Sequence, residues 1–90
     1  MRPATRVTDI CTGHGSCAPR PAITGSPNVF INYLPAHRVG DLWMVHCSHI
    51  GILVTGSPNV FTNHRPQGRI MDLIDCGSRV ATGSQNVFVN

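Results

Sequence analysis

The sequence contains little charge and few aromatic residues. Charged residues make up 12% of the 90-residue chain, compared with roughly 25% in an average soluble domain. Lysine and glutamate are absent, and the seven arginines are spread along the chain without forming a basic run. Nucleic-acid binding requires a concentrated basic surface with aromatic stacking platforms. We therefore expect no nucleic-acid partner.

The sequence also lacks long hydrophobic runs. No apolar segment approaches the roughly 20 residues of a membrane-spanning helix. The N-terminal residues Met1 to Arg6 are not followed by the apolar core of a secretory signal peptide. We expect synthesis in the cytoplasm, and any export by a route other than a signal peptide. Glycine and proline are scattered as turn residues, which favours a compact β-protein or a part of an assembly over a disordered chain.

A six-residue segment occurs three times in the chain. Its copies begin at Gly25, Gly56 and Gly83, which lie 31 and then 27 residues apart. They read Gly-Ser-Pro-Asn-Val-Phe twice and Gly-Ser-Gln-Asn-Val-Phe once, each with Thr before it and Asn two residues after the Phe. Such recurrence does not arise from composition bias.

A second block precedes each copy of the first. It reads Pro, two variable residues, Arg, Val or Ile, one residue and Asp, and begins at Pro3, Pro35 and Pro66. The sequence therefore predicts a single domain over residues 1–90, with repeats at about 3–32, 35–63 and 66–90.

The two blocks predict turns and short strands. Gly-Ser-Pro-Asn is turn chemistry, with Gly permitting positive φ, and the following Val-Phe run is typical of a strand. Arg38-Val39 and Arg69-Ile70 are predicted to form the second strand of each unit. A lone hairpin is marginal in water. We therefore predict a mainly β fold in which three hairpin repeats close around a pseudo-threefold axis.

The variable inserts between the two blocks carry a candidate metal site. His14 and His46 lie five residues after the repeat aspartates Asp9 and Asp41, and Cys76 lies four residues after Asp72. His49 adds a fourth donor. Three histidines and one cysteine suit a closed tetrahedral zinc site of the structural type.

Three further cysteines leave alternatives open. Cys11, Cys17 and Cys47 lie close to the predicted ligands in sequence, and any of them could displace a histidine. Four cysteines allow three disulfide pairings, but thiols in a reducing cytoplasm stay free or bind metal. The remaining histidines, His37 and His64, are predicted to be surface residues.

The repeated Pro-x-x-Arg-Val-x-Asp block before Gly-Ser-Pro-Asn-Val-Phe-x-Asn resembles the PAAR-repeat family, although Pro-Ala-Ala-Arg itself never occurs. The resemblance covers Pro3 to Asn90. It implies a sharp β cone with a zinc ion near its apex, carried over to His14, His46, His49 and Cys76. It also implies a tip that caps a trimeric β-helical spike protein, VgrG-like or of a phage tail, in a contractile injection machine such as a type VI secretion system. Such a tip contacts the target membrane transiently, and separate effectors can accompany it.

The same residues suggest two other classes of function. A zinc hydrolase needs an open coordination position and a general base, whereas the only acids are Asp9, Asp41, Asp72 and Asp75. Three of these belong to the repeated block, so we expect no enzymatic activity. The second alternative is a small zinc- or disulfide-stabilised binding module that is not attached to a spike.

Overall fold

The computed structural model describes all 90 residues and contains strands and turns but no helix. Eight strands form four two-stranded antiparallel sheets, paired β1–β8, β2–β3, β4–β5 and β6–β7. The strands are β1 (Arg2–Pro3), β2 (Phe30–Ile31), β3 (Leu34–Pro35), β4 (Leu42–His46), β5 (His49–Ile52), β6 (Phe61–Thr62), β7 (Arg65–Pro66) and β8 (Phe88–Val89). The predicted mainly β class is confirmed. The structure offers no helix with the length and hydrophobicity needed to cross a membrane.

Three short hairpins join the copies of the repeated sequence. The strand after each Gly-Ser-x-Asn segment pairs with the start of the next Pro-x-x-Arg block, and the last copy pairs with the first. The aligned pairs are Phe30 with Pro35, Phe61 with Pro66 and Phe88 with Pro3. Asn32 and Tyr33 have φ of 54° and 69°, the left-handed values of a two-residue type I′ hairpin turn. The hairpins therefore span the junctions between the predicted units.

The Arg-Val-x-Asp blocks form tight turns, so the prediction of strands at Arg38-Val39 and Arg69-Ile70 was wrong. The N–H of Asp41 donates to the carbonyl of Arg38 at 2.9 Å, and Gly40 has a φ of 92°, as in a type II turn. The Asp41 carboxylate accepts bonds from the Arg38 N–H, Nε and Nη2 at 2.9, 2.8 and 3.1 Å. The aspartate three residues after the arginine closes the turn. Its bonds to the arginine outweigh the preference of the intervening valine for a strand.

The same ion-paired turn occurs in the other two blocks, between Arg6 and Asp9 and between Arg69 and Asp72. The hydrogen bond to the partner aspartate raises the pKa of both arginines. Burial alone raises the pKa of Asp41, but the bonds from Arg38 and Thr24 outweigh it and the net pKa lies below the usual value. The Asp41 carboxylate is therefore held ionised inside the fold.

Threonine hydroxyls connect the three turns in a closed ring. The threonine before each Gly-Ser-x-Asn segment donates at 2.9 Å to the aspartate of the next block along the chain, and the last returns to the first. The pairs are Thr24 to Asp41, Thr55 to Asp72 and Thr82 to Asp9.

The Gly-Ser-x-Asn segments turn as predicted, but glycine has a different role there. The Ser26 hydroxyl accepts the N–H groups of Asn28 and Val29 at 3.2 and 2.8 Å. Gly25 does not have positive φ. A Cβ at this position would lie 2.7 Å from the Ala36 carbonyl oxygen, so glycine is needed because two backbones approach closely.

Two layers of contacts fill the centre of the molecule. Thr5, His37 and Gly68 form a ring in which each N–H donates to the next carbonyl at 2.9–3.0 Å, and the buried Gln67 amide contacts all three of these carbonyls. A hydrophobic core lies among the inserts, with two residues from each. Its members are Cys11, Ala22, Trp43, Leu53, Ile74 and Val80.

His37 is fully buried, so its prediction as a surface residue was wrong, whereas His64 is exposed as predicted. Nδ1 of His37 donates to the Thr24 carbonyl at 2.8 Å, and the His37 ring packs edge-on against Trp43. Burial lowers the pKa of His37 from 6.5 to about 4, because loss of hydration outweighs the hydrogen bond to Thr24 and the attraction of Asp41. The ring is therefore neutral at pH 7.

Acid should destabilise the protein through His37. The unfolded state binds a proton at this residue below about pH 6.5, while the folded state resists it down to about pH 4, so stability falls as the pH drops through this window. Between pH 7.5 and pH 4.5 we expect a loss of about 2 to 3 kcal/mol from this residue alone. Urea unfolding of the wild type and of His37→Thr, which installs the residue of the first unit, at both pH values would measure the difference.

Titration of the other histidines is common to both proteins and cancels in this comparison. His64→Thr is the matched control, because its exposed ring should leave the pH dependence unchanged. An identical pH dependence in His37→Thr and wild type would contradict the prediction.

Candidate metal centre

Three turns carry the four predicted donors. His14 pairs with Cys17 across the Gly15-Ser16 turn, with N–H to carbonyl distances of 3.1 and 2.8 Å. His46 and His49 are paired residues at the ends of β4 and β5. Each turn extends from one insert, so the side chains meet beyond the hydrophobic core.

The second turn, Cys47-Ser48, connects β4 to β5 and has φ of 46° and 65°. The third turn holds Cys76 between Ile74 and Ser78, and its Gly77 has a φ of 95°. Positive φ at both central residues is typical of the two-residue turns that join hairpin strands, and glycine adopts positive φ readily. These reversals bring Cys76 towards the histidines of the other two inserts.

The structure brings all four predicted residues into one cluster. Their donor atoms, one from each of His14, His46, His49 and Cys76, all lie within 4.8 Å of one another. Nε2 of His14 and Nε2 of His49 are 3.2 Å apart, and Sγ of Cys76 is 3.8 Å from Nε2 of His46. His46 is buried, and the other three are partly buried.

Two of these separations match those around a tetrahedral ion. Zinc bonds of about 2.0–2.1 Å to nitrogen and about 2.3 Å to sulfur place two nitrogens about 3.3 Å apart, and a nitrogen and a sulfur about 3.6 Å apart. The distances of 3.2 and 3.8 Å in the cluster lie close to those values. Imidazole and thiolate donors suit zinc and other borderline transition metals, whereas calcium and magnesium prefer oxygen. The cluster can therefore hold a transition-metal ion.

A backbone carbonyl orients one donor ring. Nδ1 of His46 lies 2.6 Å from the carbonyl oxygen of Ala18, and a carbonyl can only accept, so Nδ1 carries the proton. Nε2, the atom that faces Cys76, then has its lone pair free. Metal-binding histidines are usually fixed by such an outer partner. Sequence reasoning missed Ala18 because a carbonyl partner leaves no residue-type signal.

None of the three alternative cysteines enters the cluster. Cys17 and Cys47 form a disulfide, so the expectation of free or metal-bound thiols was wrong for this pair. Cys11 is free but buried in the hydrophobic core, where its sulfur accepts the N–H of Arg20 at 3.3 Å. Cys11 stands two residues after Asp9, as Trp43 does after Asp41, and this shared offset identifies both as core positions.

One polar recess lies elsewhere on the surface. It is lined by Arg6, Asp9, Asn32, Thr82, Gly83, Gln85 and Asn86. Arg6 binds Asp9 and Asn32, and Thr82 also binds Asp9. Its charged groups are therefore already paired with one another.

The fold and the cluster together define a small all-β domain in which recurrent turns assemble a nitrogen- and sulfur-rich site able to hold a metal. The PAAR motif family model matches residues 12–82 of the 90-residue chain. The chain therefore belongs to the PAAR motif family, whose members act as spike tips, a structural role. Comparison with curated proteins gave no match.

Proposed function

We propose that this chain is the structural tip that caps and sharpens the trimeric β-helical spike of a contractile injection machine. The observation that carries the proposal is the recurrence of contacts: the same hairpin, ion-paired turn and threonine bridge occur three times, and the last closes onto the first. We interpret residues 1–90 as one domain of three units, at about 3–32, 35–63 and 66–90, around a pseudo-threefold axis. One chain can then offer an equivalent edge to each of three spike subunits.

Three equivalent phenylalanines supply a surface for this contact. Phe30, Phe61 and Phe88 are 57%, 57% and 46% exposed. Asn32 and Asn63 bond across to Asn86 and Asn28, so the phenylalanine hairpins lie next to one another. Exposed apolar side chains arranged together mark an interaction site. A partner with three matching subunits would cover all three rings.

In this function, His14, His46, His49 and Cys76 would bind a zinc ion. Zinc held by four protein donors is closed to substrate and contributes folding energy. It would hold together three inserts that share only a small core. A stiff tip would concentrate the contraction force on a small area of target membrane when the particle is driven outward.

The arrangement of carboxylates argues against catalysis. Asp9, Asp41 and Asp72 each bind an arginine. The remaining acid, Asp75, accepts the N–H of Ile52 at 3.1 Å. Three of the four carboxylates are therefore committed to ion pairs within the fold, and we propose a non-enzymatic role.

Co-purification with the cognate trimeric spike tests the function. The chain should comigrate with the spike at one copy per trimer. Replacing Phe30, Phe61 and Phe88 together by threonine should weaken binding by at least roughly 100-fold, since buried aromatic anchors contribute more than about 1 kcal/mol each. Zinc content should not change.

Val45→Thr with Ile50→Thr is the matched control, because these exposed side chains lie on β4 and β5. This variant should bind the spike normally. A chain that stays monomeric and never comigrates with the spike would contradict the proposal. The Cys17–Cys47 disulfide favours a second candidate function, a small stabilised binding module that is not attached to a spike. Failure to comigrate with the spike would favour this second candidate.

A further inference from the structure

The Cys17–Cys47 disulfide joins the two turns that carry three of the four donors. Cys17 closes the turn that begins at His14, and Cys47 lies in the turn between His46 and His49. The two cysteines are 30 residues apart in sequence, with their Cα atoms 5.6 Å apart. The bond thus connects the first insert to the second beside the donor cluster.

A second contact between the same turns depends on the same backbone. Ala18, whose carbonyl accepts the Nδ1 proton of His46 at 2.6 Å, directly follows Cys17. The disulfide therefore holds in place the carbonyl that selects the metal-binding tautomer of His46. Loss of the disulfide would free both the position of His14 and the orientation of His46.

The third turn is held by other contacts. Ser78 accepts the N–H of Gly13 at 2.9 Å, and residue pairs Leu53–Ile74 and Cys11–Val80 form bridges to the neighbouring inserts. The thiol of Cys76 is consequently positioned without the disulfide. Reduction would act mainly on the three imidazoles.

We propose that Cys17–Cys47 is a redox site that sets the metal affinity of the His14, His46, His49 and Cys76 cluster, an inference that rests on the proposed metal site. In the disulfide form the imidazoles are preorganised, so binding an ion requires little further ordering. In the dithiol form the two turns lose their covalent link and are joined only by hydrogen bonds, such as that from the His46 ring to Ala18, so the ion must supply more of the ordering. The coupling is reciprocal: bound metal stabilises the disulfide by the factor by which the disulfide strengthens metal binding.

The reaction partner is a thiol reductant. A thiolate attacks one sulfur of Cys17–Cys47, the S–S bond breaks, and a mixed disulfide forms while the other cysteine leaves as a thiolate. A second reductant thiol attacks the mixed disulfide and releases the first cysteine. In total, two thiols become one disulfide, and the two cysteines gain two electrons and two protons. The reverse reaction uses a small-molecule disulfide as the oxidant.

Zinc affinity of the full chain in the two redox states tests the proposal. Competition with a chromophoric chelator would give the zinc dissociation constant before and after reduction by a phosphine, which is oxidised to its oxide by the disulfide and water and introduces no competing thiol. We expect zinc to bind roughly 10- to 100-fold more weakly after reduction. Cys17→Ser with Cys47→Ser should match the reduced wild type and no longer respond to the phosphine, whereas Cys11→Ala should respond normally.

Equilibration with mixtures of reduced and oxidised glutathione gives an independent measurement. Zinc should shift the midpoint of disulfide reduction in favour of the disulfide by the same factor. Equal or tighter zinc binding by the reduced wild type would overturn the redox proposal while leaving the metal site intact. Absence of zinc binding in both states would overturn the metal site as well.

Discussion

Replacing His46 with alanine is expected to cause the largest loss of stability of any substitution at the cluster. His46 is the most buried donor, and its ring is fixed by the Ala18 carbonyl. A structural zinc contributes apparent free energy of order 10 kcal/mol. We expect affinity to fall by at least about 1,000-fold, which removes about 4 kcal/mol of stabilisation at a fixed zinc concentration. For a domain of this size that lowers Tm by roughly 15–30 °C.

Zinc content and calorimetry of His46→Ala, Cys76→Ser and the control His64→Ala would measure this effect. His64 is exposed and lies outside the cluster, so its variant should keep wild-type zinc content and Tm. X-ray absorption of the wild type should give three nitrogen ligands and one sulfur. Wild-type zinc affinity in both cluster variants would show that these residues are not ligands.

The same variants test whether the zinc site and the spike-binding phenylalanine surface act independently. If the zinc site and the phenylalanine surface act independently, His46→Ala should still bind the spike at a temperature at which it is folded. Equal loss of zinc and of spike binding would show that the two surfaces are coupled.

Asp41→Asn is expected to destabilise the protein by about 3 to 5 kcal/mol, the usual effect of removing one member of a buried ion pair. The side chains of Arg38 and Asp41 are 6% and 5% exposed. The asparagine would leave the guanidinium without its counter-charge and would also weaken the bond from Thr24. Urea unfolding at saturating zinc would measure the change.

Asp75→Asn is the matched control for Asp41→Asn. Asp75 is exposed and accepts only the N–H of Ile52, and an asparagine can accept the same bond. We expect a change within about 0.5 kcal/mol. A similarly small effect at Asp41 would show that the ion-paired turns do not stabilise the fold.

Much of the site was predictable because its signal is local in sequence. His14, His46 and Cys76 follow the repeat aspartates by nearly the same number of residues. Each aspartate closes a turn at the equivalent position of its repeat. Equal offsets from equivalent turns bring side chains to one level of the structure. The donor types then indicated a transition metal, with His49 supplied by the hairpin that carries His46.

Other features depended on contacts that no local pattern contains. The valine in Arg38-Val39 favoured a strand, but the bond from Asp41 to the Arg38 backbone made a turn. His37 was predicted to lie at the surface, whereas the central ring buries it against Trp43. A polar residue in a short turn-rich segment gives no indication of which neighbouring segment will cover it.

The sequence alone determined the β class, the Gly-Ser-x-Asn turns, the threefold count of the motifs and the four candidate ligands, because each follows from residue chemistry at short, repeated spacing. Tertiary structure decided which strands pair, that the last copy closes onto the first, and that Cys17 bonds to Cys47. Strands of two residues contain too little pattern to select a partner. A disulfide between residues 30 positions apart depends on two turns meeting in space, and only the closed arrangement of all three inserts makes them meet.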